Sequence, residues 1–374
     1  MSNKYSLIAF FCITGVVLYS CNNLDNTAPA NTTPGDSVPD SGWNIPINEI
    51  ISGGVPKDGI PSLFNPLTIP ADQANYLSDE DLVVGIVVNG QPRAYPHTIL
   101  DWHEVVNEDF PTDNPITISY CPLTGTAIAF DGNNSGLKLK FGVSGLLFNN
   151  NLIMFDRETD SHWPQMRLQC DQGELRNTKQ IVYPSKETSW GSWKKLYPNT
   201  VILSTNTGFR RPYDRPGSAY PGYNLPDSPP LFSISFSDNR LPMKQRIHGV
   251  ILGEGPNNYQ TKVYIIDSTQ NIRLINDTIA STPVLVIDDG KDNFVVSYFR
   301  NVNATTLTFK LVEEINTLPF TFQDNETGST WNVLGEAVDG PLVGTKLEKT
   351  LSYNAYWFAW GVFFRGADIY EELN

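Results

Sequence analysis

The chain has 374 residues, 40% of them apolar and 11% aromatic, enough to fill a substantial core. Against 26 lysines and arginines stand 40 aspartates and glutamates, a net charge of −14. That balance argues against nucleic acid as a partner and against docking on anionic lipid headgroups through a basic patch.

The N-terminus pairs Lys4 with an apolar run from Leu7 to Val17, too short to cross a bilayer stably. Residues 1–20 therefore read as an export signal. Its ending, Leu18-Tyr19-Ser20-Cys21, resembles the lipobox of bacterial lipoproteins, in which Cys21 becomes the acylated first residue. Each buried methylene of such an anchor contributes about 0.8 kcal/mol. The competing reading is a plain signal peptide with Cys21 incidental. Residues 21–42 are rich in Asn, Thr, Pro, Asp and Ser and read as a flexible tether. The expected location is the cell envelope, lipid-anchored to the outer face of a bacterial membrane.

Further on, His97 to Asn107 is the best helix candidate, with Ile99, Trp102, His103 and Val106 sharing one face at 3.6 spacing. The stretch Ile116-Thr117-Ile118-Ser119-Tyr120-Cys121 then alternates as a strand and ends on a thiol beside a Pro122/Gly125 turn. Alternation puts Thr117, Ser119 and Cys121 on one face and Ile116, Ile118 and Tyr120 on the other. A second strand is expected from Ala127 to Phe130.

Self-similarity organises the remainder. Asp156-x-Glu158-Thr159-x-Ser161-x-Trp163 recurs as Asp324-x-Glu326-Thr327-x-Ser329-x-Trp331, and Trp190-x-x-Trp193 as Trp357-x-x-Trp360. Pro115 falls on Pro283, Phe130 on Tyr298, and Asn107 near Asn276. The expectation is a mostly-β, α+β protein: two copies of one β-rich unit, related by internal duplication, with short helices. The first copy spans 43–209 and the second, a scaffold copy, 231–374. The Pro- and Tyr-rich stretch 210–230 reads as a long surface loop joining them. Cys121 falls opposite Asp289 and Thr124 opposite Asp292, so thiol chemistry belongs to the first copy alone.

Several motifs carry a resemblance. Glu49-Ile-Ile-Ser-Gly-Gly-Val-Pro-Lys-Asp-Gly-Ile-Pro61, Ala94-Tyr95-Pro96, Trp102-His103-Glu104-Val-Val-Asn107, Tyr120-Cys-Pro-Leu-Thr-Gly-Thr-Ala127 and Phe141 to Arg157 resemble the bacterial and archaeal domain of unknown function 3179 family. The likeness runs from about residue 45 to 370 and implies motifs, not a reaction. The family pattern reads Tyr-Cys-Pro-Leu-Cys-Gly-Thr-Ala, and here Thr124 replaces its second cysteine. This turn therefore holds no dithiol pair for redox cycling or metal binding. Met166 to Lys179 has drifted from the family's Gly-Pro-Leu-x-Gly-Thr-Lys-Leu, which Gly340 to Leu347 retain. Cys170 sits in that drifted stretch, a substitute candidate for the lost partner.

Two readings of the site remain. In the first, Cys121, His103 and Glu104 form a small polar site in a cell-envelope lipoprotein. Cys121 is nucleophile or metal ligand and His103 base or co-ligand, holding a copper or zinc ion or performing single-thiol redox or transfer chemistry. His97, His162 or Cys170 would complete such a metal site. Asn149, Asn151 and Arg157 line a ligand cleft in this reading, against turn chemistry as the plain alternative. In the second, the protein is a non-catalytic ligand-binding or scaffolding module with a Cys121–Cys170 disulfide. A buried core role for His103 and Cys121 belongs with it. Expected partners are the membrane, through the lipid on Cys21, and a small ligand or envelope protein. Phosphate loops, Gly-x-Ser-x-Gly elbows and His-Glu-x-x-His motifs are absent from the sequence.

Overall fold

Ile116, Ile118 and Tyr120 point into one apolar cluster with Tyr95, Ile99 and Leu100. Cys121, at the strand's end, enters another with Leu123, Trp163, Tyr356 and Trp360. The strand Pro115–Cys121 is therefore buried on both faces. Each aliphatic side chain so buried stabilises the fold by about 1.5–3 kcal/mol. The computed structural model describes residues 42–371 except 112–114, 218, 227, 254, 256–257, 270 and 313–316. The export signal, Cys21 and nearly all of the tether lie outside the described residues.

The fold is mostly β. Pro115–Cys121 sits in the middle of a five-stranded sheet, between Thr126–Asp131 and Val105–Asp109, with Val182–Tyr183 and Leu63–Phe64 outermost. Cys121 pairs with Thr126 and Tyr120 with Ala127, so the Pro122–Gly125 turn closes the hairpin. A second five-stranded sheet runs Ser185–Ser189, Leu82–Val88, Gln91–Pro96, Val201–Leu203, Thr68–Pro70. Phe141–Phe148 and Asn151–Asp156 form a long hairpin in a four-stranded sheet. In the C-terminal half, Arg246–Leu252 pairs with Leu351–Tyr356 and Gln260–Ile265, while Thr282–Asp289 lies between Arg273–Ile279 and Phe294–Phe299.

Among the described residues there are three α-helices, each of seven residues: α1 (His97–His103), α2 (Trp190–Leu196) and α3 (Trp357–Phe363). None of the described helices is long and apolar enough to cross a membrane. The helix expected to reach Asn107 stops at His103, and Val105 onwards is strand. The β-branched pair Val105-Val106 gains more by pairing with Ser119 and Ile118 than by extending one helical turn.

Local bonding recurs between the halves. Trp163 Nε1 donates to Asp156 Oδ2 at 2.8 Å, and Trp331 Nε1 to Asp324 Oδ2 at 2.8 Å. Asn107 bridges the backbone of Phe141 through both amide atoms, and Asn276 does the same for Phe309. Asp156, Asp324 and Asn107 are buried, where an unmade bond costs about 1–3 kcal/mol, whereas Asn276 makes its pair of bonds at an exposed position. The recurring residues therefore hold framework positions.

Candidate functional site

Glu104 marks the geometry of the site. Its amide donates to Leu100 O at 2.8 Å, ending α1, and its carbonyl accepts from Tyr120 N at 2.7 Å, starting the sheet. Both bonds are met only with φ at 57° and ψ at −31°, a conformation few side-chain-bearing residues adopt. Glu104 is buried, and Tyr220 Oη donates to its Oε1 at 3.3 Å. Burial, with a smaller push from Asp101, raises the Glu104 carboxyl to about 8.

Cys121 is 1% exposed, and its Sγ donates to Asn150 O at 3.5 Å. Burial, followed by the nearby Glu104 charge, pushes its thiol up to about 11, so it stays protonated at neutral pH. Thr124, where the family pattern carries its second cysteine, joins a buried network. It bonds Thr126 at 2.8 Å and accepts from Asn151 Nδ2 at 3.0 Å, while Asn151 Nδ2 also donates to Gln165 Oε1 at 2.8 Å.

His103 is not bonded to Cys121. Its Nδ1 donates to Pro61 O at 2.7 Å and its Nε2 accepts from Tyr213 Oη at 2.6 Å, so both nitrogens are occupied. Burial lowers its pKa, which keeps the ring neutral. Among the described residues, no group of three or more His, Cys, Asp or Glu side chains is placed to hold a metal ion.

The expected disulfide is not formed. Cys121 and Cys170 are both free thiols, and Cys170 Sγ donates to Gln172 O at 3.2 Å. Each sulfur is directed at a different carbonyl. His162 Nδ1 is bonded to Gln172 Oε1 at 2.8 Å, so its ring is held beside the Cys170 loop. The three polar residues expected to line a ligand cleft are bonded within the protein. Asn149 accepts from Ser235 N at 2.7 Å and donates to Glu49 Oε2 at 3.2 Å. Asn151 lies in the Thr124 network, and Arg157 makes a two-pronged pair with Asp58.

The open space lies on the other side of the Cys121 turn. A cleft of about 540 Å³ is bounded by α1, by Tyr120 and Pro122, and by Lys244 to Arg246 leading into the strand Arg246–Leu252. The stretch expected as a surface loop, 210–230, forms another wall. Its tyrosines fasten it down: Tyr213 to His103, Tyr220 to Glu104, and Tyr223 Oη to Leu123 O at 2.8 Å. Gly125 closes the turn at φ 61°, where an added Cβ would stand 2.6 Å from Arg246 Nη1.

Residues lining this cleft carry four buried polar atoms with no hydrogen-bond partner: Lys244 Nζ, Arg246 Nε, His97 Nε2 and Thr98 Oγ1. Lys244 is 4% exposed, with Nζ 3.0 Å from the Tyr223 ring centroid, and desolvation lowers it to about 7. His97 lies against the Tyr120 ring at 4.2 Å and is held down to about 4 by burial, hence neutral. Burial raises Asp101 to about 7, opposed by the Gly217 amide. Arg246 also bridges to Glu187 and donates to Gly125 O at 2.5 Å. Sequence reasoning missed Lys244, Arg246 and Asp101. The available signal was two cations two residues apart, leading into an apolar strand of an acidic chain.

No curated protein and no solved structure matches this chain. A family model, described as a protein of unknown function (DUF3179), matches residues 57–367. Since that match covers most of the chain, including the cleft, the Cys121 turn and both tryptophan-bearing helices, the chain belongs to the DUF3179 family.

Proposed function

We propose that this chain is a lipid-anchored cell-envelope protein, built from two duplicated β-rich copies, that binds a small organic acid without making or breaking a covalent bond. The single observation that carries the binding is that residues lining one cleft hold four buried polar atoms without a hydrogen-bond partner, Lys244 Nζ, Arg246 Nε, His97 Nε2 and Thr98 Oγ1. Buried polar groups are normally satisfied, so unmet groups gathered on the residues of one cleft wall support a ligand that completes them as the wall adjusts around it. Lys244 and Arg246 supply donors for a carboxylate. Tyr120, Tyr220, Tyr223 and Tyr356 supply rings for an apolar body. Glu104 and Asp101, with raised pKa values, add less negative charge at neutral pH than exposed carboxylates would. The thiol and metal readings of Cys121 and His103 have less support, because the thiol is raised and both imidazole nitrogens are engaged. Membrane anchoring rests on the Leu-x-Ser-Cys21 motif alone.

Screening monocarboxylic acids with aliphatic and aromatic bodies by thermal shift and calorimetry tests the reading. At least one should bind saturably at pH 7, and Lys244→Met should weaken it about tenfold or more, the worth of a charged hydrogen bond. A full set that gives no binding, or binding indifferent to Lys244→Met, would overturn the proposal.

A further inference from the structure

A second cavity, of about 260 Å³, lies apart from the cleft, between the strand Ser185–Ser189 and the strand Phe294–Phe299 with the segment leading into Leu351–Tyr356. Lys186 and Lys349 both line it, and their side chains lie within hydrogen-bonding reach of each other. Two ammonium groups in contact repel unless an anion or proton loss relieves them. Of the nearby carboxylates, Glu187 is bonded to Arg246, and Glu336 is bonded to Lys346 at 2.5 Å while its charge favours the charged forms of Lys186 and Lys349 without bonding either. No ion pair of Lys186 or Lys349 with a carboxylate is found among the described residues. The floor of the cavity is polar and ordered. Ser297 Oγ bonds His248 Nε2 at 2.9 Å and Thr350 Oγ1 at 2.5 Å, and His248 Nδ1 bonds Asn354 Oδ1 at 2.9 Å.

We propose that this cavity is a second ligand site, taking a small oxyanion of the phosphate class that bridges the Lys186 and Lys349 ammonium groups. A multi-oxygen anion gives each lysine its own acceptor and removes the repulsion between them. Without the anion, burial and then the charge of Lys349 push Lys186 down to about 7. The opening suits such a ligand, since Lys186 is half-buried and Lys349 is exposed at the rim. This site shares no lysine with the cleft that holds Lys244, so the two proposals stand or fall separately.

The test uses inorganic phosphate as the probe, by titration calorimetry and thermal shift at pH 6.5, against chloride matched in ionic strength. Phosphate should bind saturably and raise Tm, and chloride should not. Lys186→Gln and Lys349→Gln should each weaken phosphate about tenfold, whereas Lys244→Met should leave it unchanged. In phosphate-free buffer, Lys349→Gln should keep or raise the wild-type Tm, because it removes a repulsion at an exposed position. Absence of saturable phosphate binding would overturn the proposal. So would phosphate binding indifferent to both lysine variants, binding lost in Lys244→Met instead, or a lowered Tm for Lys349→Gln without phosphate.

Discussion

Glu104 and Lys244 have both traded hydration for position, and their protonation records that trade. The Glu104 carboxyl is raised from 4.5 to about 8 by burial, with the Tyr220 hydroxyl opposing and Asp101 adding to the shift. The folded state therefore holds this proton more tightly than the unfolded chain does. Its contribution to stability is complete below about pH 4.5 and is lost as pH climbs toward about 8. Urea unfolding of wild type and Glu104→Gln from pH 5 to 8 should show a shallower decline in the variant, by at most about 1.4 kcal/mol per pH unit. Parallel curves would mean that Glu104 is ionised in the fold. Lys244 is lowered from 10.5 to about 7, so its linkage has the opposite sign and lies mostly at higher pH.

At the scale of elements, the two tryptophan-bearing helices are seated on glycine. Gly85 in Leu82–Val88 lies under the Trp193 ring, where an added Cβ would fall 2.2 Å from its carbons. Gly249 in Arg246–Leu252 lies under Trp360, with 2.1 Å left for a Cβ. Neither glycine has a left-handed φ, so the constraint is contact with the indole and not backbone conformation. Gly249→Ala should therefore cost about 1–3 kcal/mol through overpacking, seen as a lower urea midpoint with an unchanged m-value. Wild-type stability in Gly249→Ala would show that α3 can slide away from its strand. The same residue contact in α2 and α3, with the matching Asp–Trp bonds, explains why spaced tryptophans are visible in the sequence as a recurring mark.

For the whole molecule, the apolar core decides how the chain folds. One cluster holds Val105, Cys121, Ile128 and Trp163 from the N-terminal half together with Ile247, Tyr353, Trp357 and Trp360 from the C-terminal half. Backbone and side-chain bonds cross with it: Tyr356 N to Thr124 O at 2.8 Å, and Arg246 to Gly125 and Glu187. A fragment of residues 43–209 would expose its part of this core and leave Glu187 without its cation. Calorimetry of the full chain should show one cooperative transition, and the isolated fragment should give none. A cooperative transition from the fragment would show that the first half is an autonomous domain.

Local patterns were enough for the strands around Cys121, since a period of two and a Pro/Gly turn are written residue by residue. They were also enough for the mostly-β character and for the recurring Asp, Ser and Trp positions, whose bonds are short-range. The same reasoning extended α1 too far, because strand pairing across distant residues outweighed local helical spacing. It also joined Cys121 to His103, which share a neighbourhood in sequence, although Tyr213, more than a hundred residues on, takes the imidazole. The cleft was not legible at all: Lys244, Arg246, Asp101 and the tyrosines of 210–230 meet only once the two halves pack. Periodicity depends on neighbours along the chain, so sequence alone determined the strands and their buried faces. Solvation and charge around a cleft depend on neighbours in space, so only the tertiary structure decided which polar groups of its walls were left without partners.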